Sequence, residues 1–239
     1  MSPYRIVDLT YSFNARTPYW PTATTGFRLD SVSVGPTPGG YFYSAYAYAA
    51  PEHGGTHLDA PVHFAEGRAS TELVRLEQLM APAVVIDVST RAAADHDYRL
   101  TRDDVLAFEA RHGRIQPGTI ALLRTGWGKR WPDKKAYLGD NTPGDASHLH
   151  FPSFGEEAAL VLVSERRVTA IGVDVASIDY GQSKDFRVHR AAAAADVPGL
   201  ENLAGLDALP PTGAFVIALP MKIEGGSGGP LRAIALVPR

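Results

Sequence analysis

His53-Gly54-Gly55-Thr56-His57-Leu58-Asp59-Ala60-Pro61-Val62-His63 decides how the rest of the chain is read. Its three imidazoles and one carboxylate fall within eleven residues, the densest titratable cluster in the sequence. Such donors suit a divalent metal such as zinc or manganese, and an imidazole left over can move protons. His53 and His57 are four apart, but the Gly-Gly-Thr between them opposes a helix and lets the backbone turn close to an ion. His57 and Asp59 are two apart, so an extended segment puts them on one face. Pro61 stiffens the chain between Asp59 and His63. A lone histidine is usually packing or surface, whereas this spacing is hard to produce by chance.

On the N-terminal side, the aromatic stretch Tyr41 to Tyr48 reads as a strand that delivers the chain into the cluster. Short apolar runs predict further strands at Ile6–Leu9, Ala83–Val88, Thr119–Leu123, Val168–Val175, Ala214–Leu219 and Leu231–Val237. Three helices are predicted between them. Thr71–Met80 would place Leu73, Leu76 and Met80 on one face; Thr101 would cap a helix ending near Gly113; Ser153 with Glu156 forms a capping-box pattern before Ala158–Glu165. Ala191–Ala195 also favours helix. Mixed elements without a linker or repeat predict one α/β or α+β domain over residues 1–239. Gly225-Gly-Ser-Gly-Gly229 lacks a phosphate-loop ending and reads as a flexible turn before a last strand.

The chain is 45% hydrophobic and 21% charged, with a formal net charge of -3. That balance fits a globular protein and gives no basic surface for nucleic acid. No apolar run reaches the roughly 20 residues that span a bilayer, so no membrane partner is expected. The N-terminus lacks a signal-peptide core, which predicts a cytoplasmic protein. With no cysteine, any metal must be held by nitrogen and oxygen. There is no Gly-x-Ser-x-Gly elbow to support a serine hydrolase.

His-x-Gly-Thr-His-x-Asp-x-Pro-x-His resembles the signature of the metal-dependent cyclase family, which includes bacterial kynurenine formamidases and isatin hydrolases. Thr17-Pro-Tyr-Trp-Pro21, Arg124-Thr-Gly-Trp127, Ile171 to Asp179, Glu201-Asn-Leu203 and Pro220-Met-Lys-Ile223 resemble its other blocks, in family order. The resemblance implies an α/β domain with a mixed-sheet, barrel-like core flanked by helices. It implies that His53, His57 and Asp59 hold a first ion, that Asp59 bridges to a second held with His189 and Glu201, and that His63 is the acid/base. Family members use one or two ions. Trp20 becomes a candidate for the substrate pocket, and a homodimer or homotetramer is expected, with the aromatic N-terminal region as a possible interface.

Without the resemblance, His189 could be helix-start chemistry and Glu201 a first-turn carboxylate. His96, His112, His148 and His150 match no motif. Asp174 and Asp179 read as residues that hold the loop after a strand. The reaction that the resemblance implies is cleavage of a small aryl amide by metal-bound hydroxide, with N-formylkynurenine the first candidate. Opening of a cyclic amide or imide such as isatin is the close alternative, ahead of a polyketide-type cyclase or a non-catalytic metal-binding protein.

Overall fold

The computed structural model describes residues 3–239. Its strands are β1 (Tyr4–Asp8), β2 (Arg28–Pro36), β3 (Phe42–Ala49), β4 (His57–Asp59), β5 (Met80–Asp87), β6 (Arg99–Leu100), β7 (Ile120–Arg124), β8 (Ser153–Phe154), β9 (Ala170–Val173), β10 (Gly199–Glu201), β11 (Ala214–Pro220) and β12 (Gly228–Pro238). Its α-helices are α1 (Leu76–Leu79), α2 (Ser89–Ala94), α3 (Arg102–His112), α4 (Lys134–Leu138), α5 (Glu156–Leu160) and α6 (Arg187–Ala194).

A ring closes in the order β12, β11, β5, β7, β9, β10, β4 and back to β12. β5, β7, β9 and β10 are parallel neighbours; the other pairs, including both that flank β4, are antiparallel. β1 lies outside the ring along β12. Successive residues alternate between two apolar layers, as the pleat requires. Val85, Leu122, Leu200, Leu58, Val216 and Ala233 fill the barrel. Val84, Leu123, Ile171 and Val173 face outward onto Val105 and Phe108 of α3, Ala158 of α5 and Val188 of α6. Strands β7, up to its terminal Arg124, and β9 carry no polar side chain, because both faces are covered. The expected barrel-like mixed sheet with flanking helices is what forms.

Thr101 caps α3 as expected. Its side chain accepts from Asp104 N while the Asp104 carboxylate accepts from Thr101 N, and Gly113 ends the helix at φ 89°. The predicted helix over Thr71–Met80 breaks instead. A 3-10 turn covers Thr71–Leu73, Arg75 is extended, and Met80 already pairs with Ile217 in the barrel. Leu73, Leu76 and Met80 stay exposed, and Thr71, Val74 and Leu79 are the buried residues. Ser153 is no helix cap either. It lies in β8, where its hydroxyl donates to the carbonyls of Ser177 and Ile178, and Gly155 starts α5. The glycine segment before the last strand is partly strand itself, since Gly228 and Gly229 pair with Asp59 and Leu58.

β2 and β3 form a separate ribbon that pairs with no barrel strand. It exposes Leu29, Val34, Phe42, Tyr43, Tyr46 and Tyr48. Among the described residues no helix is long and apolar enough to cross a membrane.

Candidate metal centre

The short strand β4 closes the barrel and builds the site in the same three residues. Leu58 points into the barrel, as does its cross-strand neighbour Leu200 on β10. His57, Asp59 and Glu201 have the opposite parity and so face outward. Glu201 stands directly across from His57. Helix α6 covers this face and brings in His189. His53 enters from the turn before β4, where Gly55 sits at φ 60°, a conformation few side chains tolerate.

The side chains converge closely. Asp59 Oδ1 lies 2.6 Å from His53 Nδ1 and 3.2 Å from His57 Nε2. Asp59 Oδ2 lies 3.1 Å from His189 Nε2. Glu201 Oε2 is 3.4 Å from His57 Nε2, and Oε1 is 3.3 Å from His189 Nε2. Two donor groups share Asp59: His53, His57 and Asp59 form one, and Asp59, His189 and Glu201 the other, with ligand atoms within 4.8 Å of one another in each. His57 Nε2 tests whether the set fits a cation. It is fully buried and completes no well-directed hydrogen bond despite two oxygens nearby. A buried nitrogen left this way is costly unless something else occupies it, and an all-nitrogen-and-oxygen set fits a divalent cation.

The electrostatics show how tightly charge is concentrated. Burial lowers the affinity of His57 for a proton, yet the Asp59 and Glu201 carboxylates outweigh it and raise its pKa to about 9. His189 is likewise raised against its burial, by Asp179, Asp59 and Glu201. Asp59 is driven well below the usual carboxylate range despite its burial, by bonds from His189, His53 and His57. Burial and the nearby Asp59 charge push Glu201 up.

The imidazoles are also held from behind. His57 Nδ1 bonds to the Gly55 carbonyl at 2.9 Å, and His189 Nδ1 to Asp179 Oδ2 at 2.7 Å. Asp179 additionally accepts from the backbone N–H of Val188 and His189, so it fixes the start of α6 as well as the ring. Asp174 holds a loop, but it is the one after β7 and not the one after its own strand β9: its carboxylate accepts from Thr125 N, Thr125 Oγ1 and Gly126 N. For Asp179 that role was only half of the picture.

His63 ends the 3-10 turn Pro61–His63 and stacks on His53. Its outer edge meets solvent, and its inner side is crowded. Partial burial first, and then the neighbouring imidazoles, push its pKa down against the pull of Asp59. The ring is therefore neutral at physiological pH. A cavity of about 270 Å³ opens above the cluster. Pro18, Tyr19, Trp20, Phe64, Leu138 and Phe186 form its apolar wall. Trp20 packs edge-on against Phe151 and lines the cavity. Phe64 and Phe186 were not anticipated; Phe64 directly follows His63, which was the available signal.

The remaining histidines lie elsewhere. His150 pairs with Asp97, His148 with Asp145 and His96 with Arg130, while His112 packs against Phe108 at the end of α3.

The family model described as "Putative cyclase" matches residues 7–180. The chain belongs to the cyclase family. Within and around that family, the chain is 40% identical over 196 residues to an isatin hydrolase of Roseibium aggregatum, covering 79% of this chain and 73% of that protein. It is 32% identical over 231 residues to a kynurenine formamidase of Sphingopyxis alaskensis, covering 96% and 97%. An isatin hydrolase crystal structure with the product analogue thioisatinate superposes at a TM-score of 0.89, with 33% identity and coverage of 99% and 94%. Isatin hydrolase A from Ralstonia solanacearum superposes at 0.84, with 36% identity and coverage of 98% and 92%. This cyclase-family chain thus shares the whole barrel with solved hydrolases.

Proposed function

We propose that this chain is a metal-dependent hydrolase that cleaves the C–N bond of a small aryl-linked amide. The observation that carries the reading is the outward face of β4 and β10, where His57, Asp59 and Glu201 meet His53 and His189 beneath an aromatic cavity. His53, His57 and Asp59 would hold one divalent ion, and Asp59, His189 and Glu201 a second; zinc and manganese both suit these donors. When bound, such an ion lowers the pKa of a water to roughly 7 and polarises a carbonyl. The chain supplies the rest. The aromatic wall orients the aryl ring and excludes bulk water. His63, at the cavity mouth, takes a proton from the attacking water and returns it to the departing nitrogen.

Two substrates follow from the family resemblance, N-formylkynurenine and a cyclic amide of the isatin type. The cavity lining favours the cyclic one. No lysine or arginine is found among the described residues lining it, so the charged amino-acid end of N-formylkynurenine would lack a cationic partner there. The relatives named isatin hydrolase support the same choice. N-formylkynurenine is kept as the second reading because a kynurenine formamidase aligns over 96% of this chain. We place the enzyme in the cytoplasm as a homodimer or homotetramer, with the exposed β2–β3 ribbon as the surface a second copy would cover.

The test is metal analysis of native protein, removal of metal with a chelator, and restoration with Zn2+ or Mn2+ before assay on isatin and N-formylkynurenine. Turnover should vanish and return, with isatin preferred. Turnover that survives full metal removal would overturn the reading.

A further inference from the structure

Each cluster imidazole has its far nitrogen held, but His53 is held differently. Its Nε2 lies 2.9 Å from Ser227 Oγ, and Ser227 Oγ lies 2.7 Å from Glu52 Oε2. Ser227 N also donates to the same Glu52 oxygen at 3.2 Å. The direction of these bonds follows from chemistry. A serine hydroxyl has one hydrogen, and an ionised carboxylate only accepts, so Ser227 donates to Glu52. Ser227 Oγ then accepts from the Nε2–H of His53, and Nδ1, whose 2.6 Å contact with Asp59 Oδ1 needs a hydrogen of its own, is the nitrogen that would give up that hydrogen to take a cation.

The segment carrying Ser227 is built for this contact. A Cβ on Gly228 would strike the His53 ring and the Leu58 carbonyl, and one on Gly226 would strike the Glu52 carboxylate and Ile223. Only glycine on both sides lets the backbone come close enough for Ser227 to sit between the two side chains. The loop is pinned as well: Ala60 N donates to Ser227 O, and Thr71 donates to Gly226 O through both its N–H and its hydroxyl. The glycines of 225–229 thus make a cradle, where the sequence pattern alone reads as a flexible turn.

We propose that Ser227 and Glu52 are positioning residues for the metal centre: through the chain Glu52–Ser227–His53 they fix the tautomer and orientation of His53 and so present its Nδ1 to a divalent cation. This rests on the reading of His53 as a metal ligand. Because His53 also stacks on His63, the same chain sets where the proposed acid/base sits. Partners of this kind, bonded behind a ligating imidazole, raise its basicity and hold its ring in place.

The experiment measures Zn2+ and Mn2+ dissociation constants by competition with a chromophoric chelator. It uses metal-stripped full-length protein and the variants Ser227→Ala, Ser227→Thr, Glu52→Gln, Glu52→Ala, His53→Ala and the Ser227→Ala/Glu52→Ala pair. Thermal unfolding confirms that each is folded, and imidazole 15N NMR reports the His53 tautomer. Ser227→Ala should weaken binding by ~10–100-fold, and Ser227→Thr, which restores the hydroxyl, should recover most of it. Glu52→Gln, still able to accept, should lose less than Glu52→Ala. The double variant should bind no worse than Ser227→Ala, because both act through one ring. His53 should carry its proton on Nε2 in the metal-bound wild type and lose that preference in Ser227→Ala. If His53→Ala loses metal while Ser227→Ala and Glu52→Ala stay within about twofold of wild type, the positioning chain is overturned and the ligand reading stands. If His53→Ala binds as wild type does, or wild type binds neither ion, both fall.

Discussion

The imidazoles of His53 and His63 lie face to face, 3.9 Å between centroids and 19° from parallel. One ring points into the donor cluster and the other stands at the cavity mouth, so the stack joins the ion-holding group to the proton carrier. Their roles should nevertheless separate. His63→Ala should lower turnover ~100- to 10,000-fold while metal content is retained, and His57→Ala should lose both. Metal analysis beside steady-state rates decides this, and equal metal loss in the two variants would contradict it.

The carboxylate of Asp179 bonds to the back of His189 and to two backbone N–H groups at the start of α6. Asp179→Asn should weaken metal binding by ~10–100-fold. Asp174→Asn, which disturbs only the bonds to Thr125 and Gly126, should leave metal affinity unchanged. Chelator competition on both variants checks the contrast; similar losses would assign Asp179 a loop role alone.

Gly54 meets the ring of Tyr19, which itself lines the cavity. A methyl there would drive into the ring, and both would have to move. Gly54→Ala should cost about 1–3 kcal/mol in stability, as overpacking does, and should also displace His53. Urea unfolding together with metal titration reads both effects, and a variant as stable as wild type would show that Tyr19 can swing away freely.

Arg166 is buried in the helical layer and grips Glu109 with two bonds, at 2.8 and 2.9 Å. The guanidinium holds the Glu109 carboxyl below its ordinary value of 4.5. A depressed carboxylate contributes stability in full above its unfolded pKa and loses it as pH falls through the folded value. Glu109→Gln should therefore cost about 1–3 kcal/mol at neutral pH, since the buried guanidinium keeps only its bond to the exposed Glu165, and the gap from wild type should narrow below about pH 4.5. Denaturant unfolding across that range tests the sign; a gap independent of pH would rule the pair out as an acid-sensitive element.

The centre was legible because β4 compresses it: His57 and Asp59 sit two apart in an extended strand, and His53 and His63 flank them within a few residues. His189 and Glu201 were not readable from their own neighbourhoods. They join the cluster only through the β10–β4 pairing and the packing of α6, which a local pattern does not encode, so the family resemblance had to supply them. Ser227 and Glu52 escaped for a similar reason. The glycines that admit Ser227 look like those of any loose turn, because their purpose is set by a side chain 174 positions away. Thr71–Met80 misled in the opposite sense, since a helical apolar pattern lost to strand pairing at Met80.

Strand β4 is three residues long, and it is what joins β10 to β12. The clasp of the barrel and the cation-holding surface are thus one object. Any excursion that unzips this seam scatters His57 and Asp59 away from Glu201, and a captured ion would act as a rivet across the joint. Loading with Zn2+ or Mn2+ should accordingly slow hydrogen exchange at the amides of 57–59 and 199–201 far more than at those of β7, which the surrounding layers already shield.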